Sequence, residues 1–356
     1  MAQQKEQYSP QQRAMIWATS TRQYQQTLPT QVVTQEGMTL DFTLPKARLL
    51  TKIWLHVKAV ATLKSSSGNI QRDPMSPYGI LRRVELNLNN GFSPYIVSGK
   101  ELFMYNVLRN HPDVLLPGAN KQYLNYVENV ATTAGKDNEI QFTVPIPVSL
   151  NDRDPVGMVM LQNNTANVNL TVSVDQLANA YKLNASNSDQ VTFKSMSITP
   201  VIETFSIPSI PGGQPDMSVL KLVQSKSDLF SGGGQNILKL NVGTIYRKLL
   251  FYIEDSNGKP LEPKDFTGNM ELVFNQADTP YNIKPEVLVH KNHSDLGYPL
   301  PPGVYCFDFS NQGVPNLGGS RDYIDSERLT EFWFRFSTQV GGKVTVVSET
   351  LSRLQM

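Results

Sequence analysis

The stretch Ser206-Ile-Pro-Ser-Ile-Pro-Gly-Gly-Gln-Pro-Asp216 limits this chain more than any other. Three prolines and two adjacent glycines fall within it. Proline removes a backbone donor and fixes φ, and glycine opens positive φ, so neither a helix nor a central strand runs through such a segment. Strand-like sequence stops before it and resumes after it. The chain is therefore expected to fold as two β domains joined by a linker, with Pro208, Pro211, Gly212, Gly213 and Pro215 as the linker residues. A length of 356 residues suits two domains.

The periodicity on either side supports this division. Asn167-Val-Asn-Leu-Thr-Val-Ser-Val174 alternates strictly, and Leu40, Phe42 and Leu44 alternate with polar neighbours. Leu49–Leu63, Val84–Leu88, Ile140–Val144 and Val191–Thr204 read as further strands before the break. Val219–Phe230, Ile237–Val242, Ile245–Ile253, Val304–Phe309, Phe332–Phe336 and Val344–Val347 read as strands after it. Ser98-Gly-Lys-Glu101 has capping-box spacing and opens a helix expected to stop near Asn110-His-Pro112. A short helix is expected to begin near Pro285. Many short strands with Gly-, Pro- and Asn-rich connections predict an all-β chain of two consecutive jelly-roll (β-sandwich) domains, a double jelly roll with an N-terminal helical arm. The expected boundaries are an arm at 1–36, a first jelly roll at 37–205, a linker at 206–216 and a second jelly roll at 217–356.

The halves also resemble one another. Leu40-Asp-Phe-Thr-Leu44 leads into Lys52-Ile-Trp-Leu-His-Val57, and Leu238-Lys-Leu-Asn-Val242 leads into Lys248-Leu-Leu-Phe-Tyr-Ile253. Each is an alternating strand, a turn, a lysine and a buried-strand pattern, as a duplication would leave.

The first 35 residues differ in composition. They hold ten glutamines and a single acid, Glu6. Ser9-Pro10 is a helix start, and the helix is expected to run from Gln11 to about Gln26. It carries Arg13, Met15, Ile16, Trp17, Arg22 and Tyr24. Aromatic residues beside arginine suit an interfacial membrane contact. Packing on a neighbouring subunit and a disordered arm are the alternatives, because the apolar residues form no clean helical stripe.

Other function classes find little support. The chain has 32 Lys and Arg against 31 Asp and Glu, without a dense basic run, which argues against broad nucleic-acid binding. The lone Cys306 allows no intrachain disulfide, and no apolar run reaches the roughly 18 residues of a membrane helix. With no signal-peptide core at the N-terminus, folding in a cytoplasm is expected. His56, His111, His290 and His293 fit no zinc or cupin spacing. Asn151-Asp-Arg-Asp154 lacks the glycine and distal glutamate of a calcium loop, and Gly232-Gly-Gly234 lacks the lysine of a P-loop. Alternation makes Cys306 a core-facing residue rather than a nucleophile. No catalytic, cofactor or metal site is expected. A shell-building protein fits this absence: three two-lobed chains around one axis present six lobes, which tile hexagonally. A two-domain β enzyme or carbohydrate-binding protein is the alternative, and it would need paired carboxylates or exposed aromatics in a cleft.

Tyr298-Pro-Leu-Pro-Pro-Gly-Val-Tyr-Cys-Phe-Asp308 resembles a segment near the end of tectivirus major capsid proteins, where a proline, a glycine and a Val-Tyr pair lead into a strand with Cys and Asp. The opening Met1-Ala-Gln-Gln, the glutamine-rich arm and the order of arm, β domain, proline-rich linker and β domain are similar too. The size suits the branch that infects Bacillus-type hosts. The resemblance implies a homotrimeric, pseudo-hexameric capsomer in an icosahedral bacteriophage shell over an internal membrane. Its expected partners are neighbouring capsomers, minor capsid and vertex proteins, and the membrane reached through the N-terminal arm. The expected location is the virion, assembled in the host cytoplasm.

Overall fold

The computed structural model describes residues 8–89, 91–118, 125–150, 156–162, 167–210, 212–213, 219–310 and 323–353. It divides into two compact units. One takes the described residues up to Asn106 and from Asp113 to Lys221, with Arg353. The other takes Val107–Pro112 and Leu222–Ser352.

In the first unit, helix α1 (Pro10–Ser20) precedes strands β1 (Gln23–Thr27), β2 (Gln31–Val33), β3 (Thr39–Thr43), β4 (Leu49–Lys64), β5 (Leu81–Leu88) and β6 (Phe92–Val97). Helix α2 (Gly99–Asn106) and strands β7 (Lys136–Pro147), β8 (Val168–Val174) and β9 (Gln190–Phe205) follow. One sheet runs β1/β2–β9–β4–β7, and the other runs β3–β8–β5–β6. The long β4 buries alternate residues from Thr51 to Leu63, as the period-two pattern requires, and buries Leu49 and Leu50 before them. The capping box at Ser98 forms: Glu101 N–H donates to Ser98 Oγ at 3.3 Å, and Ser98 N–H to Glu101 Oε2 at 2.6 Å. The helix ends at Asn106, earlier than its sequence suggests, because Asn106 turns its amide onto Leu102 O and Pro145 O. Phe103 of α2 stacks on Tyr78 at 4.8 Å and fills the core.

The second unit contains β10 (Val219–Phe230) from Leu222 on, β11 (Gly234–Leu240), β12 (Ile245–Asp255), β13 (Met270–Phe274), β14 (Asp278–Ile283), α3 (Pro285–Leu296), β15 (Val304–Asp308), β16 (Phe332–Thr338) and β17 (Gly342–Arg353) as far as Ser352. Its sheets run β10–β17–β12–β15 and β11–β16–β13–β14. Phe251 and Phe334, from opposing sheets, stack at 3.8 Å in its core, with Phe336 at 5.1 Å from Phe334.

Counting eight strands along each unit, with β1/β2 as the first, both units show the same order: 1-8-3-6 in one sheet and 2-7-4-5 in the other. This is the jelly-roll arrangement, present twice. The two segments that look alike in sequence occupy the second and third strands of each unit. The match extends to an irregularity. Each third strand carries an extra residue just before its lysine, Thr51 before Lys52 and Arg247 before Lys248.

Two boundaries shift from the sequence reading. The helix ends at Ser20 rather than near Gln26, and residues 23–33 are not arm but the first strand of the first sandwich. The hydroxyls of Thr19, Ser20 and Thr21 bond back to carbonyls of the preceding turn, which competes with continuation of the helix. Gln23–Thr27 then pairs along Phe205–Val201. All five β1 residues are exposed, so no apolar alternation marks the strand.

Candidate functional site

The expected site residues lie in the arm and the linker, and the structure brings many of them together. Ser9 caps α1 by accepting from Gln12 N–H, and Gln12 Oε1 accepts from Ser9 N–H at 2.8 Å. The helix turns Trp17 inward. Its ring lies 5.1 Å from Phe205 and packs with Leu49, Met158 and Ile207. Ile16 lies against Gly213: a Cβ at that glycine would come within 3.0 Å of Ile16 Cγ2. Tyr24 is covered on one ring face by the Arg48 guanidinium at 3.6 Å. Arg13 is half-buried, whereas Arg22 and Met15 are exposed, Met15 by 70%. Trp17 is thus a packing residue of its own unit, and Met15, Arg22 and Tyr24 are the exposed residues of the expected set, Tyr24 with one ring face under Arg48.

The linker residues continue this contact. Ser206 N–H donates to Arg22 O at 3.0 Å, and Ser206 Oγ accepts from Arg22 N–H. Pro208 is buried. Gly213 N–H donates to Ile210 O in a tight turn, with Gly212 at φ +77°. Pro211 and Pro215 lie outside the described residues. Lys221, the last residue of the first unit, is buried, and its ammonium donates to Ser149 O at 2.8 Å, to Tyr105 Oη at 3.3 Å and to Pro147 O. Sequence reasoning missed this lysine, because nothing in a strand-like run separates a buried lysine from an exposed one.

Reactive groups are scattered. Among the described residues, no group of three or more His, Cys, Asp or Glu converges on a possible metal position. His290 and His293 are exposed on α3. Cys306 is buried, and burial, reinforced by the nearby Asp308 carboxylate, pushes its thiol up. Asn292 of α3 grips the backbone of Cys306, accepting from its N–H at 3.0 Å and donating to its carbonyl at 2.8 Å. A polar depression of about 380 Å³ in the first unit is lined by Asp73, Arg82, Ser98, Lys100, Asp175 and Tyr181, and its Lys100 and Asp73 pair with each other at 3.2 Å. The Asn151–Asp154 segment lies outside the described residues. Among the described residues, no helix is long and apolar enough to cross a membrane.

No protein-family model and no curated protein matches the sequence. Solved structures do match the fold. The major capsid protein of Sulfolobus turreted icosahedral virus aligns with a TM-score of 0.70 at 14% identity, covering 93% of this chain and 97% of that one. The PBCV-1 virus capsid aligns at 0.66 and 10% identity, over 93% and 94% of the two chains. The major capsid protein of bacteriophage PM2 aligns at 0.56 and 10% identity, over 94% and 98%. The chain has the double jelly-roll fold.

Proposed function

We propose that this chain is a viral major capsid protein, a structural subunit rather than an enzyme. The observation that carries the reading is the alignment of nearly the whole chain, both sandwiches included, with capsid proteins at TM-scores up to 0.70. The finer reading is a homotrimer with six-fold outline in the shell of a tailless bacteriophage similar to the tectiviruses, enclosing a membrane. The resemblance of Tyr298–Asp308 supports that branch, and in this structure the stretch seats β15 of the second sandwich. Partners on this reading are neighbouring capsomers, minor capsid and vertex proteins, and lipid approached by the exposed Met15 and Arg22 of the arm. The protein would assemble in the host cytoplasm and reside in the virion.

Analytical ultracentrifugation of the purified protein tests the subunit claim. A species of three 39.8 kDa chains that persists at micromolar concentration is expected. A stable monomer there contradicts the trimer.

A further inference from the structure

The repeated fold places one charged residue at the same register in both units. Glu203 of β9 lies opposite Lys52 of β4, and Glu349 of β17 lies opposite Lys248 of β12. In each unit this is the eighth strand facing the lysine that follows the extra residue of the third. Both glutamates are buried, 7% and 1% exposed. A buried carboxylate is costly unless its lone pairs are met, so its partners show what the position does.

In both cases one partner comes from the third strand and the others from the periphery. Glu203 accepts from Gln25 Nε2 at 3.0 Å and from Gln23 Nε2 at 3.4 Å, both on the exposed edge strand β1, and from Trp54 Nε1 at 2.7 Å. Glu349 accepts from Arg247 Nε at 3.1 Å and pairs with Arg109 at 3.8 Å. Arg109 belongs to Val107–Pro112, the short segment that counts with the second unit although the residues on both sides count with the first. The same segment receives a hydrogen bond from Tyr298 Oη to Val107 O at 2.7 Å, and His111 lies edge-on to Tyr298 at 4.9 Å. The extra residue of each third strand also faces this partner: Thr51 Oγ1 donates to the Glu203 carbonyl and Arg247 to the Glu349 carboxylate.

We infer that Glu203 and Glu349 are two copies of one docking position, each fastening a peripheral segment to its sandwich: β1 in the first unit and Val107–Pro112 in the second. Strand β1 buries none of its residues, and Val107–Pro112 buries Val107 and Leu108 at its start while Arg109–Pro112 stay outside the core. A buried carboxylate supplies the hold, in the first unit by charge-assisted hydrogen bonds from the β1 glutamines and in the second by an ion pair with Arg109.

Hydrogen exchange of the full chain, followed by mass spectrometry, tests this. Glu203→Gln is expected to speed amide exchange of residues 23–27 at least tenfold while leaving 107–112 as slow as in the parent. Glu349→Gln is expected to do the reverse. Exchange of the central strands β4 and β12 reports whether each unit remains folded. If Glu349→Gln unfolds its unit, Arg109→Gln makes the same test from the segment's side, leaving Glu349 bonded to Arg247. Selective loosening in both units supports the shared role. Unchanged exchange at both segments, loosening in one unit only, or loss of protection throughout overturns it.

Discussion

At the scale of single residues, buried polar side chains hold the sheets' outer attachments, and their removal has calculable effects. Asn292 satisfies both backbone groups of Cys306. Asn292→Ala leaves a buried N–H and a buried carbonyl without partners, and is expected to cost about 3 kcal/mol in denaturant unfolding. A cost below about 0.5 kcal/mol would show that water replaces the amide freely. His56 gives a pH signature. Burial, reinforced by nearby Lys58, holds its imidazole below the usual range, and Nδ1 lies 2.8 Å from Thr143 Oγ1. The unfolded chain therefore takes up this proton at higher pH than the folded one. The contribution is present above the ordinary histidine pKa, and declines as pH falls toward the depressed folded value. His56→Gln is expected to reduce the loss of denaturation midpoint between about pH 7.5 and pH 5.5. An identical loss in both proteins would remove His56 from the acid response.

At the scale of elements, α1 and the proline-rich stretch form one structure. Trp17 packs against Phe205, Leu49 and Met158, and Ile16 against Gly213. Trp17→Ala is expected to weaken docking of the helix by about 3 kcal/mol. Its amides then exchange faster while β4 keeps its protection. Truncation separates helix from strand. Removing residues 1–21 should leave the first sandwich folded, whereas removing 1–33 takes away β1 and β2 and bares the edge of β9. Circular dichroism and solubility of the two truncations check this, and equal behaviour would contradict the assignment of β1. The sequence made the central strands legible, because β16 alternates throughout between buried and less buried positions, β4 does so from Thr51 onward and β8 as far as Val172. It hid β1, whose stability comes from backbone pairing and glutamine contacts rather than an apolar face. It also hid the destination of Trp17. An aromatic beside arginines has the same local pattern whether its cover is lipid or Phe205, and only tertiary contacts distinguish the two.

At the scale of the whole molecule, the same eight-strand order appears twice, and the paired segments at Lys52 and Lys248 fall on equivalent strands with the same extra residue before each lysine. That coincidence of sequence, register and irregularity is what duplication of one jelly roll leaves behind. The candidate site was less legible than the fold. Glu203 and Glu349 stand in runs that read as ordinary strands, and only cross-strand register makes them equivalent. On the proposed reading, the function lies in the repeated lobes and their surfaces rather than in one cleft. The most direct test of this account is negative-stain electron microscopy of the purified full-length protein. Compact particles of six-fold outline, each built from three chains and packing into hexagonal arrays, are the predicted result. Single two-lobed particles with no tendency to associate at any concentration would contradict it.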